Sequence, residues 1–227
     1  MGVQLRISLP DQPGSLARVT QAIARSGADV LWVSVLESEG GRAIDDFGLR
    51  WPDNVDHRPL LDALARERGV EVISCRFSRR LLDGRADLDL LTYLLAVPQR
   101  GVEILVDMLP AAVEADWAEL RSPDPESAAL YCSGAPHDAL APADLPLRAI
   151  AGRTGESTWM RIPVPQLRAV LVIGRDLGPT FLRTEVSSAE GIITLALKTL
   201  AAALRDGAGA SDLTAGLVPG QATRRTA

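Results

Sequence analysis

The stretch DQPGSLARVTQAIARSGADVLWV, residues 11–33, decides the fold of the N-terminal part of the chain. Apolar side chains recur at helical spacing from Leu16 to Ile23, which predicts a helix with one buried face. Pro13 and Gly14 stand immediately before this helix, and Gly27 stands where a left-handed residue commonly ends one. The helix is therefore bounded on both sides by residues that favour turns.

Strands flank this helix on both sides. Apolar and polar residues alternate from Val3 to Leu9, the period of two that is typical of a half-buried strand. After the helix, Val30–Glu37 and Arg42–Trp51 read as two further strands, and Gly40 and Gly41 form the turn between them. These two runs predict a β-hairpin.

A second helix and a fourth strand complete the N-terminal unit. Asp56 is the expected N-cap, Leu60 and Leu64 lie on one helical stripe, and Gly69 precedes the strand Val70–Phe77. The order βαββαβ within residues 1–78 predicts a ferredoxin-like α+β unit, in which two helices cover one face of a four-stranded antiparallel sheet.

The second strand is apolar on both of its faces. Two sets of side chains alternate along it: Val30, Trp32 and Leu36 on one face, and Leu31, Val33 and Val35 on the other. One layer of helices covers only one of these sets. The pattern predicts that a partner subunit, most simply in a homodimer, or the downstream domain covers the rest.

Residues 79–87, RRLLDGRAD, are rich in charge and predict a linker to a second domain over residues 88–205. Two helices, broken at Pro98, begin this domain, and four strands follow in two hairpins. The strands are expected at Asp116–Arg121, Ala128–Ser133, Thr158–Pro163 and Ala169–Gly174.

A long connection and a long helix characterise the end of this second domain. Residues 134–157 contain several prolines and glycines, and a connection of this length is typically functional or mobile. Ser187 and Glu190 have the spacing of a capping box before the last helix. Residues 206–227 are expected to form a flexible tail.

Several chemistries are disfavoured by the residue inventory. The single lysine, Lys198, lies in a helical pattern, so neither a P-loop nor an activated lysine is expected. The two histidines and two cysteines are far apart in sequence and show no paired metal-ligand spacing. Trp159, Arg161 and Arg153 are candidate small-molecule contacts, although packing and surface roles explain them more simply. We expect no catalytic residues, no metal and no cofactor.

Charge and composition also limit the partners. With 29 acidic against 24 basic residues, the net charge of −5 does not favour binding to nucleic acid. No run approaches the roughly 18 apolar residues of a membrane span, no secretory signal is recognisable at the start, and two cysteines do not build a disulfide framework. We therefore expect a soluble cytoplasmic protein.

Residues 1–78 resemble the ACT domain, a small regulatory module that senses amino acids in metabolic enzymes. The resemblance rests on the motif Asp-x-Pro-Gly-x-Leu, which begins at Asp11, and on the run Gly-Ala-Asp-Val, which begins at Gly27. It implies an amino-acid site where the first loop and helix start of one subunit meet the second strand of another. The residues expected at this site are Asp11, Gln12, Pro13, Gly14, Ser15, Leu16 and Asp29.

Residues 88–205 are similar to a GAF domain in the order of their segments. ADWAELRS, AALYCSG, WMRIPVP and AVLVIGRD follow an entry helix in turn, and FLRTE precedes the last helix. The similarity implies a GAF/PAS-like fold with a mixed, mainly antiparallel sheet flanked by helices, and a signalling role. The connection over residues 134–157 is short for this family, so its usual ligand pocket is not assumed.

Elementary chemistry gives the implied amino-acid site a mechanism. Backbone N–H groups of Gly14, Ser15 and Leu16 are expected to lie unpaired at the helix start, where they favour a carboxylate. Asp11 and, from the other subunit, Asp29 are expected to accept hydrogen bonds from an ammonium group. The alternative is that Asp11 only complements the helix dipole and that Asp29 is only a turn residue.

The sequence thus favours a non-enzymatic regulatory ligand sensor. Because the chain shows no output domain, its effect would pass through its own oligomeric state or through an unidentified protein partner. Two alternatives stay open: an enzyme, or a regulatory subunit of one, with its site in residues 88–205, and a structural dimerisation module with vestigial pockets.

Overall fold

The computed structural model describes residues 1–52, 55–78, 85–122, 124, 129–134 and 146–207. The chain divides into two compact units, residues 1–84 and 85–227. Each unit has an antiparallel sheet, helices and a hydrophobic core. The predicted α+β class with antiparallel sheets is confirmed.

The first unit has the predicted order βαββαβ. Its elements are β1 (Gly2–Pro10), α1 (Ser15–Arg25), β2 (Asp29–Glu39), β3 (Arg42–Arg50), α2 (Arg58–Ala65) and β4 (Glu71–Ser78). The sheet has the order β2-β3-β1-β4, and all of its neighbouring strands are antiparallel. Gly40 and Gly41, with φ of 61° and 76°, join β2 to β3 in backbone conformations that glycine adopts without strain.

The core of this unit lies between the sheet and the two helices. Alternate residues of β1 pack with apolar side chains of both helices; these are Val3, Leu5, Ile7 and Leu9 with Val19, Ala22, Ile23, Leu60 and Leu64. Leu16, predicted on the buried stripe of α1, is instead 39% exposed. Ser15 takes the buried position, because the spacing from residue 15 to 19 and 22 keeps one helix face on the sheet.

The start of α2 differs by one residue from the prediction. His57 is the N-cap, and Asp56 lies one position earlier. The Asp56 side chain still contributes, because its Oδ1 accepts a hydrogen bond from the Arg58 N–H at 3.0 Å.

Two bulges change which way the side chains of β2 point. The register shifts between Val30 and Trp32, and again between Val35 and Glu37. Val30 consequently faces Leu49 in the core, whereas Trp32 pairs with Gly48 on the opposite face of the sheet. The predicted common face of Val30 and Trp32 is therefore wrong, since each bulge inserts a residue and shifts the alternation.

The second unit contains three helices and five strands. They are α3 (Ala86–Ala96), α4 (Gly101–Ala112), β5 (Trp117–Arg121), β6 (Ala129–Cys132), β7 (Ile150–Thr154), β8 (Ser157–Val164), β9 (Ala169–Arg175) and α5 (Arg183–Gly207). The antiparallel sheet has the order β6-β5-β9-β8-β7. Its core combines residues of β5, β8 and β9 with residues of α3, α4 and α5.

Two predicted features of this unit are corrected. The connection expected over residues 134–157 contains β7, which pairs with β8. Ser187 and Glu190 do not form a capping box, because α5 begins four residues earlier, at Arg183. Glu185 serves the start of the helix instead: its Oε2 accepts a hydrogen bond from the Leu182 N–H at 2.7 Å.

The last helix combines membrane-like composition with core packing. Among the described residues, Arg183–Arg205 is long and apolar enough to cross a membrane, a test that core helices also pass. Ala189, Ile193, Ala196 and Leu197 of this helix belong to the core of the second unit. Three predicted segments lie partly outside the described residues: the linker at 79–84, the long connection at 135–145 and the tail at 208–227.

Candidate functional site

The loop between β1 and α1 leaves the start of α1 open. Gly14 is the N-cap residue, with a left-handed φ of 88° and no side-chain hydrogen bond to the helix. A Cβ atom at this position would meet no atom within 4 Å, so the backbone conformation alone favours glycine. Gln12 and Pro13 are exposed beside it. The loop is thus held by backbone geometry and is accessible from solvent.

Two of the three predicted N–H groups are available for a ligand. The N–H of Ser15 donates to the carbonyl of Gln12 at 3.1 Å, so its predicted availability is wrong; the turn closes on itself. For the N–H groups of Gly14 and Leu16, the described part of the chain offers no acceptor. Two donors at the positive end of α1 form a site for a carboxylate.

Asp11 lies against the turn between β2 and β3. Its N–H donates to the Gly41 carbonyl at 2.9 Å, and its Oδ2 accepts a hydrogen bond from the hydroxyl group of Ser38. The exposed carboxylate therefore has a fixed position beside the loop that precedes α1.

Asp29 lies at the opposite end of the sheet. It pairs with Arg50, whose Nη1 is 3.1 Å from its Oδ2, and both side chains are exposed. Pro10, which precedes Asp11, pairs with Arg42, eight residues before Arg50. That separation is about 27 Å along β3. Within one chain the structure does not bring Asp29 to Asp11, and the predicted contact across a subunit boundary stays a prediction.

Two adjacent acids on β3, Asp45 and Asp46, are both almost completely buried, with 2% and 1% exposed. They point to opposite faces of the sheet, as expected of strand neighbours. Asp46 forms a two-point ion pair with Arg6, with Nε to Oδ1 at 2.7 Å and Nη2 to Oδ2 at 2.6 Å. The charge of Asp46 is thereby balanced.

Asp45 is placed differently from its neighbour. It alternates with the core residues Ala43 and Phe47 and so faces the helices. Its Oδ1 is shielded from solvent and has no hydrogen-bond donor among the described residues. Burial, followed by the charges of Asp46 and Asp11, raises the pKa of the Asp45 carboxyl above its ordinary value. Sequence reasoning missed this group, because alternation shows the face of a residue but not its partner.

The candidate residues of the second unit make contacts within that unit. The Arg161 guanidinium lies 4.2 Å from the ring centroid of Trp159, a cation–π contact. Arg153 donates to the Gly178 carbonyl at 3.1 Å. These contacts agree with packing roles and do not bring the three residues into one polar site.

Cys75 and the possible metal ligands complete the reactive groups that the structure describes. Burial raises the pKa of the Cys75 thiol to about 11, which keeps it protonated at neutral pH. Among the described residues, no group of three or more histidine, cysteine or acidic side chains is arranged to hold a metal ion.

Solved structures that resemble the chain are distant. A formyltetrahydrofolate deformylase from Pseudomonas putida KT2440 is 16% identical, with a TM-score of 0.31, over 43% of this chain and 38% of the deformylase. A quorum-quenching acylase is 15% identical, with a TM-score of 0.27, over 33% of this chain and 40% of the acylase. The chain thus spans less than half of either enzyme.

A third structure, an unknown protein from Galdieria sulphuraria, aligns over more of the length. It is 11% identical, with a TM-score of 0.31, over 87% of this chain and 91% of that protein. No curated protein matches the sequence.

The family comparison concerns the first unit. Residues 3–71 match the model of the ACT domain, from β1 to the start of β4, and include the loop that opens α1. ACT domains have a ferredoxin-like fold, in agreement with the strand order of this unit. Residues 3–71 of the N-terminal unit are thus similar to the ACT domain in sequence.

Proposed function

We propose that this protein is a regulatory amino-acid sensor whose ligand binds at the N-terminal end of α1 in the ACT domain. The ACT match implies regulatory binding of a small molecule in general. The finer assignment to a free amino acid is supported by one observation. The loop of residues 11–16 has backbone N–H donors at the positive end of α1 and, next to them, a carboxylate.

The positive side of this site is the start of α1. The N–H groups of Gly14 and Leu16 have no described acceptor, and the left-handed Gly14 carries no side chain that would block an approaching anion. An α-carboxylate accepts two hydrogen bonds in this arrangement and is also favoured by the helix dipole.

The negative side is the carboxylate of Asp11. It is exposed, fixed by Ser38, and one short loop away from Gly14. An α-ammonium group donates to such an acceptor. Charge-assisted hydrogen bonds contribute roughly 1.5–3 kcal/mol each, so a few of them suffice for micromolar to millimolar affinity.

The chain is further proposed to act as a homodimer. Val33 and Val35, at 38% and 61% exposed, lie on the edge strand β2. Exposed apolar groups on an edge strand favour association with a second copy. Val35→Asp should then lower the mass measured by light scattering from dimer to monomer. Val55→Asp, at an apolar position 47% exposed outside β2, is the control.

The second unit is proposed to transmit the signal as a GAF-like domain. This role rests on the order of sequence segments that resembles GAF domains. The proposal describes a non-enzymatic cytoplasmic protein, whose effect reaches a partner protein or its own oligomeric state. We propose no enzymatic activity for the chain, because its single lysine and its two separated histidines form no recognisable catalytic motif.

A thermal-shift screen tests the proposed function. Each of the twenty amino acids is added separately to the purified full chain, and a compound that binds the native state should raise its Tm by mass action. Calorimetry with an amino acid that raises Tm should then show at least tenfold weaker binding to Asp11→Ala than to the unaltered protein. Asp62→Asn, at an exposed acid on α2, should bind like the unaltered protein. A screen in which no amino acid changes Tm contradicts the proposal.

A further inference from the structure

Asp45 carries a carboxylate that the fold buries without balancing its charge. The residue is 2% exposed and lies on the helix-covered face of the sheet between Ala43 and Phe47. Its Oδ1 has no donor among the described residues. A buried carboxylate without a partner is unfavourable, so such a group normally finds a cation or a hydrogen-bond donor.

The adjacent Asp46 shows that the fold is able to supply such a partner. On the other face of the sheet, two nitrogen atoms of Arg6 contact both carboxylate oxygens of Asp46 within 2.7 Å. Both side chains of this pair are also buried. Within the described parts of the chain, Asp45 on the helix-covered face thus lacks the cation that Asp46 has on the other face.

That face leads to the proposed ligand site. Asp45 lies two residues from Ala43 on the same face of β3, and Ala43 pairs with Ser38, whose hydroxyl group donates to Asp11. Ser15, the first residue of α1, is buried at the same end of the unit, where β1 leads into the loop before α1. Two acids and the two N–H groups of Gly14 and Leu16 thus lie toward one end of the unit, a combination that complements a zwitterion.

We propose that Asp45 is the principal acceptor for the ammonium group of the amino acid bound at α1, with Asp11 as a second acceptor. This inference rests on the proposed function and specifies its ligand class. The site would select compounds with a free α-ammonium group next to a carboxylate. Within one chain, Asp29 pairs with Arg50 at the far end of the sheet, so this proposal for the ammonium group does not depend on it.

The experiment compares two pools of compounds on the full chain. One contains the twenty amino acids, and the other contains their N-acetyl derivatives, which keep the carboxylate and lose the ammonium charge. We expect the first pool to raise Tm and the second to leave it unchanged. Asp45→Asn should need at least ten times more of the first pool for the same Tm shift. Asp62→Asn, the exposed control on α2, should respond like the unaltered protein.

The outcomes separate the two proposals. If the amino-acid pool shifts Tm of the unaltered chain and of Asp45→Asn equally, Asp45 is not the acceptor, and the proposed function survives. If the N-acetyl pool is as effective as the free pool, ammonium recognition is wrong, a result that does not depend on the folding of any variant. If neither pool shifts Tm, the proposed function fails, and this inference fails with it. Circular dichroism of Asp45→Asn verifies its fold.

Discussion

The two units treat buried charge differently. In the second unit, Glu119–Arg121 and Arg175–Glu185 are ion pairs with a closest contact of 2.6 Å, and all four side chains are at most 9% exposed. In the first unit, Arg6–Asp46 follows the same rule, but Asp45 does not. Paired charges support the architecture of each unit, whereas Asp45 is the group that we propose a ligand's charge balances.

The largest expected effect is at Arg175. Its Nε donates to the Glu114 carbonyl at 2.8 Å, its Nη2 contacts Glu185, and its guanidinium lies 4.0 Å from the Phe181 ring centroid. Arg175→Ala should lower the free energy of unfolding by about 3–5 kcal/mol, because Glu185 is left buried without its cation. Urea unfolding of the full chain measures this loss. The exposed Arg183 supplies the control, Arg183→Ala, with a change of about 0.5 kcal/mol or less.

A loss of similar origin is expected at Arg6. Arg6→Met should cost about 3 kcal/mol, since the buried carboxylate of Asp46 loses both of its contacts. The double variant Arg6→Met, Asp46→Leu should recover most of this loss, because the carboxylate that had lost its cation is then removed as well. Urea unfolding of both variants tests the assignment. A double variant as unstable as the single one would show that the charge is not the cause.

The opposite sign is expected at Asp45. Asp45→Asn removes an unbalanced buried charge and should raise the free energy of unfolding at pH 7 by about 1–2 kcal/mol. The pKa of Asp45 is raised in the folded state, so its ionisation costs stability as pH rises above the ordinary value of 3.8. The advantage of Asp45→Asn should therefore disappear below about pH 3.8 and grow as pH rises through the raised pKa of Asp45.

Urea unfolding at several pH values measures this difference. Asp46→Asn is the matched control on the adjacent residue, and it should lower stability at pH 7, because Arg6 loses its charged partner. A gain in stability for both variants, or for neither, would contradict the distinction between the two acids.

The smallest effect is expected at the exposed pair of Asp29 and Arg50. Asp29→Asn should change the free energy of unfolding by about 0.5 kcal/mol or less, since solvent screens an ion pair of this kind. Thermal unfolding in low and high salt measures it. A loss above about 1 kcal/mol would contradict the screening of this pair. A large effect on amino-acid binding would show that Asp29 contributes to the ligand site.

Periodicity and turn residues were sufficient to predict most of the fold. Alternation along β1, the helical spacing of Val19 and Ile23, and the glycine pair at residues 40 and 41 led to the order βαββαβ, since each depends on neighbouring residues only. The faces of β2 were predicted wrongly because a bulge is decided by pairing with β3, which no local pattern contains. In the second unit, β7 was missed because its sequence, IAGRT, lacks a clear apolar alternation.

The candidate site was predictable in part. The motif around Gly14 indicated an open helix start, and the left-handed φ of that residue agrees with it. The hydrogen bond of the Ser15 N–H depends on how the loop closes, and the surroundings of Asp45 depend on the pairing of β3 with β1 and β2. Such features arise from tertiary contacts, so sequence spacing alone does not show them.

The bulges of β2 also have a consequence for solubility at high concentration. An edge strand exposes unpaired backbone groups, and a regular one invites further chains to add in register and to build fibrils. In β2 the register is broken twice within eleven residues, which twists the edge and interrupts its hydrogen-bonding row. In the proposed homodimer, a second copy that approaches this edge would meet valine side chains and a broken row, so we expect the assembly to close as a pair instead of growing by further strands.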